Sequence, residues 1–167
     1  MDDFILTISS EETHYKLSSV LLDNLINDAI EAINDLASSK KIHLRDESNA
    51  SNIFVSANTR LLLRALINLL FNAIKFSPPQ SLIQIKSSTH IANEQATVSI
   101  TITNEIDSNE SSTDDFPSML GFGLGLDFVN KVIQRHGGSV NRLIPANGMA
   151  TVKINLPCDI AKNPSES

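Results

Sequence analysis

The apolar residues Leu22, Leu25, Ile26, Ala29, Ile30 and Ile33 recur at three- and four-residue steps. That spacing collects them on one helical face and predicts a helix over about 20–38, with Ser18 or Ser19 as its N-cap. Residues 2–18 before it read as extended or irregular. KIHLRDE and NIFVS, which follow, read as two short strands. A second helical period runs through Leu62, Ala65, Leu66, Leu69, Leu70, Ala73 and Ile74 and predicts a helix over 59–76. Asn58 or Thr59 opens it. Ser77-Pro78-Pro79 closes it, because proline disfavours helical backbone in the residue before it. SLIQIKSS and ATVSITIT alternate apolar and polar positions, as strands with one buried face do. Residues 105–120 read as a polar loop. GLDFVNKVIQRH returns to the helical period and stops at Gly137-Gly138. SVNRLI and MATVKINL are strands joined around Asn147-Gly148, a hairpin signal, and the chain after Pro157 reads as a frayed tail. The pattern predicts an α+β fold: a two-layer α/β sandwich whose mixed, mostly antiparallel sheet carries three helices on one face.

A chain of 167 residues, 41% hydrophobic, is large enough for one well-packed domain; its expected extent is 1–157, with 158–167 as tail. A net charge of -6 lacks the electrostatic footprint of a nucleic-acid binder. The single Cys158 excludes an internal disulfide and a cysteine-based zinc site. No apolar run approaches the ~20 residues needed to span a bilayer, and no positively charged leader opens the chain. Direct membrane contact by this domain is therefore not expected.

Two constellations carry candidate chemistry. On the second helix, Arg64, Asn68, Asn72 and Lys75, with Phe76 beside them, form a polar stripe next to the core stripe. Asparagine is a mediocre helix former. Its amide offers oxygen to a hard cation and N–H groups to phosphate, and lysine adds a point charge for phosphate. Such a stripe suits a magnesium-polyphosphate ligand; the alternative is a solvated face. The second constellation is GFGLGL at 121–126. Its glycines allow close backbone approach, and the helix that follows offers free N–H groups to phosphate. The alternative is a flexible loop ending in a helix start.

In this order and at this separation, the two elements resemble the ATP-binding catalytic domain of sensor histidine kinases, a Bergerat-fold ATPase. LLRALINLLFNAIKFSP is similar to that family's N box, GFGLGLDFVNKVIQRHGGSV to its second glycine box and following helix, and GMATVKINLP to its terminal hairpin. The resemblance spans roughly residues 15–157. It implies binding of ATP and Mg2+, with Asn72 as metal ligand, Asn68 at phosphate or metal-bound water, Lys75 at the phosphates and Phe76 beside the adenine. Gly121, Gly123, Leu124, Gly125 and Leu126 would hold the lid hinge and the phosphates. The implied function is to present the γ-phosphate to a histidine on a separate phosphoacceptor and dimerisation domain, in two-component signalling with a response regulator. No catalytic residue of its own is expected within the chain, which would be inert alone. The implied setting is cytoplasmic, whether or not the parent is anchored in a membrane.

The chain also departs from the family. Where the first glycine box, Asp-x-Gly-x-Gly, is expected, it reads Asn104-Glu105-Ile106-Asp107-Ser108. Asn104 would stand in for the aspartate that accepts from the adenine amino group, and Ile106 and Ser108 replace both glycines. The lid carries Asp107, Glu110, Asp114 and Asp115 but neither lysine nor arginine, so it brings no cation to a triphosphate. No phosphoacceptor motif is present: His14 reads as a turn residue, His136 as a helix C-terminal residue, and His43 and His90 as surface. A degenerate, nucleotide-free kinase domain acting as a scaffold is the main alternative, and an anti-sigma-type protein kinase a further one.

Overall fold

The computed structural model describes residues 16–49, 51–107, 123–143 and 147–161. The elements in chain order are β1 (Ser18–Leu21), α1 (Leu22–Ser39), β2 (His43–Asp46), β3 (Ile53–Ala57), α2 (Thr59–Phe76), β4 (Leu82–Ala92), β5 (Gln95–Glu105), α3 (Gly123–Arg135), β6 (Ser139–Leu143) and β7 (Met149–Ile160). The strands form one seven-stranded sheet in the order β1-β3-β7-β5-β4-β2, with β6 also pairing β7. Among the described strands only β2 and β4 run parallel; every other pairing there is antiparallel. With three helices against this sheet among the described residues, the α+β sandwich expected from the pattern is the observed architecture.

Strand alternation fixes which side chains meet the helices. On β5, Val98, Ile100 and Ile102 are buried and Thr97, Ser99, Thr101 and Thr103 point away; on β7 the buried set includes Ala150, Ile154 and Leu156. Leu62, Ala65, Leu66, Leu69, Leu70, Ala73 and Ile74 of α2 are all buried, as their period requires.

Three expectations are corrected. The first helix does not start near residue 20 on a serine cap. Ser18–Leu21 instead pairs with β3, from Ser18↔Ala57 to Leu21↔Phe54. The helix starts at Leu22 behind an extended Leu21, without a side-chain cap. A partner strand more than thirty residues away outcompetes a local capping preference. Second, β4 and β5 are longer than their alternating cores and meet in a two-residue turn at Asn93 and Glu94, both with positive φ (51° and 65°). That is the twist-matched turn of a tight hairpin. Third, the chain does not leave the sheet at Pro157. β7 continues to Ile160, with Phe54 opposite Asp159 and Ile53 opposite Ile160. Pro157, which has no N–H to give a ladder, falls in the gap between the stretch of β7 paired with β6 and the stretch paired with β3.

The end of α3 is built as GG predicts. Gly137 has φ +77°, the left-handed conformation of a helix C-terminus, and Gly138 N–H donates to the Ile133 carbonyl at 2.9 Å. His136, just before them, is buried and bridges two helices. Its Nδ1 donates to the Val132 carbonyl at 2.6 Å, and its Nε2 accepts from the Asn58 N–H at 3.0 Å. Burial holds its pKa below the ordinary histidine value, against a smaller opposing effect of the Val132 bond. The neutral ring is the form that makes both bonds.

Candidate functional site

The last turn of α2 is held at every carbonyl, which fixes the side chains it carries. A helix end leaves its final C=O groups without intrahelical partners. Here Ser77 donates to the Ala73 carbonyl through both its N–H and its hydroxyl. Lys40, at the end of α1, extends its Nζ to the carbonyls of Ile74 (3.1 Å) and Lys75 (3.0 Å). Asp107 N–H donates to the Phe76 carbonyl at 2.8 Å. A cation on helix C-terminal carbonyls also opposes the negative end of the helix dipole. Lys40→Met keeps the length and removes those bonds. It is expected to lower stability by about 1–2 kcal/mol, readable as a shifted urea midpoint with unchanged slope; an unchanged midpoint would make the contact incidental.

Directly beyond β5, Ile106 N–H donates to the Gly148 carbonyl at 2.9 Å. This bond and the Asp107–Phe76 bond pin the exit of β5 between α2 and the β6–β7 turn. The result is an open, shallow pocket on the sheet between α2 and α3. Its α2 wall is Leu69, Asn72, Ala73 and Phe76; its floor is Ile102, Asn104, Ala150 and Val152; Ile106, Leu126 and Arg142 complete it.

Asn104 occupies the next core-facing step of β5 after Ile102 and is only 6% exposed. Its Nδ2 donates to the Glu105 carbonyl at 2.7 Å, so Oδ1 is the acceptor it keeps. Asn72 is half-buried, and neither its side-chain amide nor that of Asn68 hydrogen-bonds another described residue. Four of the residues singled out from the sequence thus share one pocket: Asn72, Phe76, Asn104 and Leu126. Asn68, a turn earlier on α2, and Lys75 lie outside its walls. The Lys75 ammonium sits 5.6 Å from the centre of the Phe76 ring. Gly123, Leu124 and Gly125 form the first turn of α3, two residues earlier than the expected start; Gly121 lies outside the described residues. Arg64 turns instead to Phe128 of α3, its guanidinium 5.4 Å from the ring centre.

Ile106, Arg142 and Lys40 had no part in the sequence-based site. Ile106 was noted only as a replaced glycine. Arg142 had a legible signal: it follows Val140 by two in a strand, a core-side position holding a charge.

The family model described as histidine kinase-, DNA gyrase B- and HSP90-like ATPase matches residues 57–160. Sensor histidine kinase ZraS of Escherichia coli (strain K12) is 28% identical over 160 residues, covering 90% of this chain and 33% of that protein. Sensor protein KdpD of Clostridium acetobutylicum is 29% identical over 159 residues, covering 89% of this chain and 17% of that protein. The chain therefore spans about a third or less of the length of these relatives. Among solved structures, the cytoplasmic segment of histidine kinase QseC matches with a TM-score of 0.68 at 22% identity, over 92% of this chain and 88% of that one. Mycobacterial sensor histidine kinase MprB matches with a TM-score of 0.66 at 27% identity, over 87% and 99%. The matched span holds α2, the pocket floor and α3, and this chain belongs to the histidine kinase-, DNA gyrase B- and HSP90-like ATPase family, as an ATP-binding domain of the sensor histidine kinase type.

Proposed function

We propose that the pocket of Asn72, Phe76, Asn104 and Leu126 binds Mg-ATP and presents its γ-phosphate to a histidine on a separate phosphoacceptor and dimerisation domain of the parent protein, which then serves a response regulator. The observation that carries this is the convergence itself: an apolar slot whose buried end holds an amide acceptor and whose α2 wall holds an amide without a described protein partner. Adenine needs an apolar slot with an acceptor for its amino group. Asn104 Oδ1 offers that acceptor, and Phe76 and Ile102 offer the slot. Magnesium prefers oxygen ligands and keeps several waters and phosphate oxygens. The Asn72 amide oxygen fits as one protein ligand, with Asn68 at the outer waters or phosphates. Lys75, and the first turn of α3 at Gly123–Leu126, would meet the phosphates. Phosphoryl transfer depends mainly on positioning and charge stabilisation. Holding the nucleotide is then this domain's contribution, and the accepting histidine comes from elsewhere in the parent. We also assign the domain to the cytoplasm, whether or not its parent is membrane-anchored; no described helix is long and apolar enough to cross a membrane.

A scaffold that has lost nucleotide is favoured by one observation. Ile106 puts a branched side chain into the pocket wall where the family expects glycine. Calorimetric titration with Mg-ADP and a non-hydrolysable ATP analogue separates the two readings. Binding at micromolar to sub-millimolar nucleotide supports the ATP reading; none at millimolar concentration supports the scaffold. Asn104→Asp restores a charged acceptor and is expected to tighten ATP binding by about 1 kcal/mol. Equal affinity in the two proteins would remove Asn104 from the base site.

A further inference from the structure

The core-facing row across the sheet reads Ile102 on β5, Val152 on β7 and Arg142 on β6, through the pairings Ile102↔Val152 and Val152↔Arg142. The neighbouring row, Ile100, Ile154 and Val140, is apolar throughout. Arginine thus stands where strand parity asks for an aliphatic residue. Placing a charge beside apolar surface costs free energy unless the charge finds a counterpart or reaches water. Arg142 is exposed and also part of the pocket wall, and an arginine can lay its apolar stem along such a wall while its charged head stays polar-solvated or paired. Among the described residues lining the pocket it is the one ionisable side chain.

Its direction of entry matters as much as its charge. β6 packs against α3, and Arg142 shares the pocket with Leu126 from the first turns of α3. Asn104 and Phe76 mark the end suited to a base. The α3 side is where helix N–H groups await an anion. The segment between β5 and α3 carries carboxylates and neither lysine nor arginine in its sequence. Low-dielectric walls strengthen what a charge such as that of Arg142 does to a ligand.

We propose that Arg142 is a nucleotide-contacting residue whose guanidinium donates to the phosphate oxygens of the bound nucleotide. It would be the cation that the acidic lid does not provide. This inference rests on the nucleotide-binding reading of the same pocket.

The test is titration of the wild-type chain, Arg142→Gln, Arg142→Met and Arg142→Lys with Mg-ATP, and with adenosine by competition against Mg-ADP, at low and moderate salt. Arg142→Gln and Arg142→Met are expected to weaken ATP binding roughly tenfold, the size of one charge-assisted hydrogen bond, and to leave adenosine unchanged. Their ATP affinity should also respond less to salt, because the screened attraction is gone. Arg142→Lys should recover part of the loss. Melting temperatures close to wild type confirm that the variants fold. Unchanged ATP affinity in Arg142→Met, or an equal loss for adenosine, would reduce Arg142 to a piece of wall and overturn the proposal. A wild-type chain that binds neither compound at millimolar concentration would overturn the nucleotide reading itself, and this proposal with it.

Discussion

Asn72→Ala is expected to reduce Mg-ATP affinity by roughly 10- to 100-fold, the range of a polar contact to a charged group, and to abolish the difference between binding with and without magnesium. Adenosine binding should barely change, because the proposed base end of the pocket is lined by other residues: Asn104, Phe76 and Ile102. The fold should be nearly untouched. Asn72 is half-buried on the α2 surface, its amide bonds no described residue, and alanine is the better helix former. Calorimetry with and without magnesium, beside a thermal melt, reads all three. A large stability loss with unchanged magnesium dependence would make Asn72 a structural residue and leave the metal without its proposed protein ligand.

Gly138→Ala is expected to cost about 3 kcal/mol or more, at the upper end of overpacking. A β-carbon there would stand 2.1 Å from the Asn155 carbonyl oxygen, 2.9 Å from Leu156 Cδ2 and 3.0 Å from Ile133 Cγ2. Side-chain tips can rotate away, but the Asn155 carbonyl belongs to the backbone of β7, which β5 and β6 flank on both sides. Relief therefore needs the α3–β6 junction to lift off β7, which would also disturb Arg142 and the pocket floor. Gly148→Ala is the natural control. Gly148 has φ +79° and nothing within 4 Å of its would-be β-carbon, so alanine meets only the left-handed backbone penalty of roughly 1–2 kcal/mol. Chemical denaturation of both variants should separate them clearly. Equal losses would mean that the close approach at Gly138 relaxes freely.

What the sequence carried by itself was everything written in local periodicity. The faces of α1 and α2, the core side of β5 and the stop at Gly137-Gly138 follow from spacing, since burial selects one side of a regular element. The asparagines of α2 were legible as mediocre helix formers aligned on a second, polar stripe, and Asn104 through the family resemblance, as the residue standing in the place of the glycine-box aspartate. Tertiary structure decided whatever depended on a distant partner. Ser18–Leu21 is a strand only because β3 offers an edge, and Asp159 and Ile160 stay in the sheet because the same strand receives them. No local rule sends Lys40 to the carbonyls of Ile74 and Lys75, more than thirty residues away. Nor does any local rule gather Asn72, Asn104, Leu126 and Arg142, from four separate elements, around a single pocket. Their distance along the chain is closed by sheet register and helix packing. Those are set by the burial of the whole core, whereas the identity of each element is set by the residues within it.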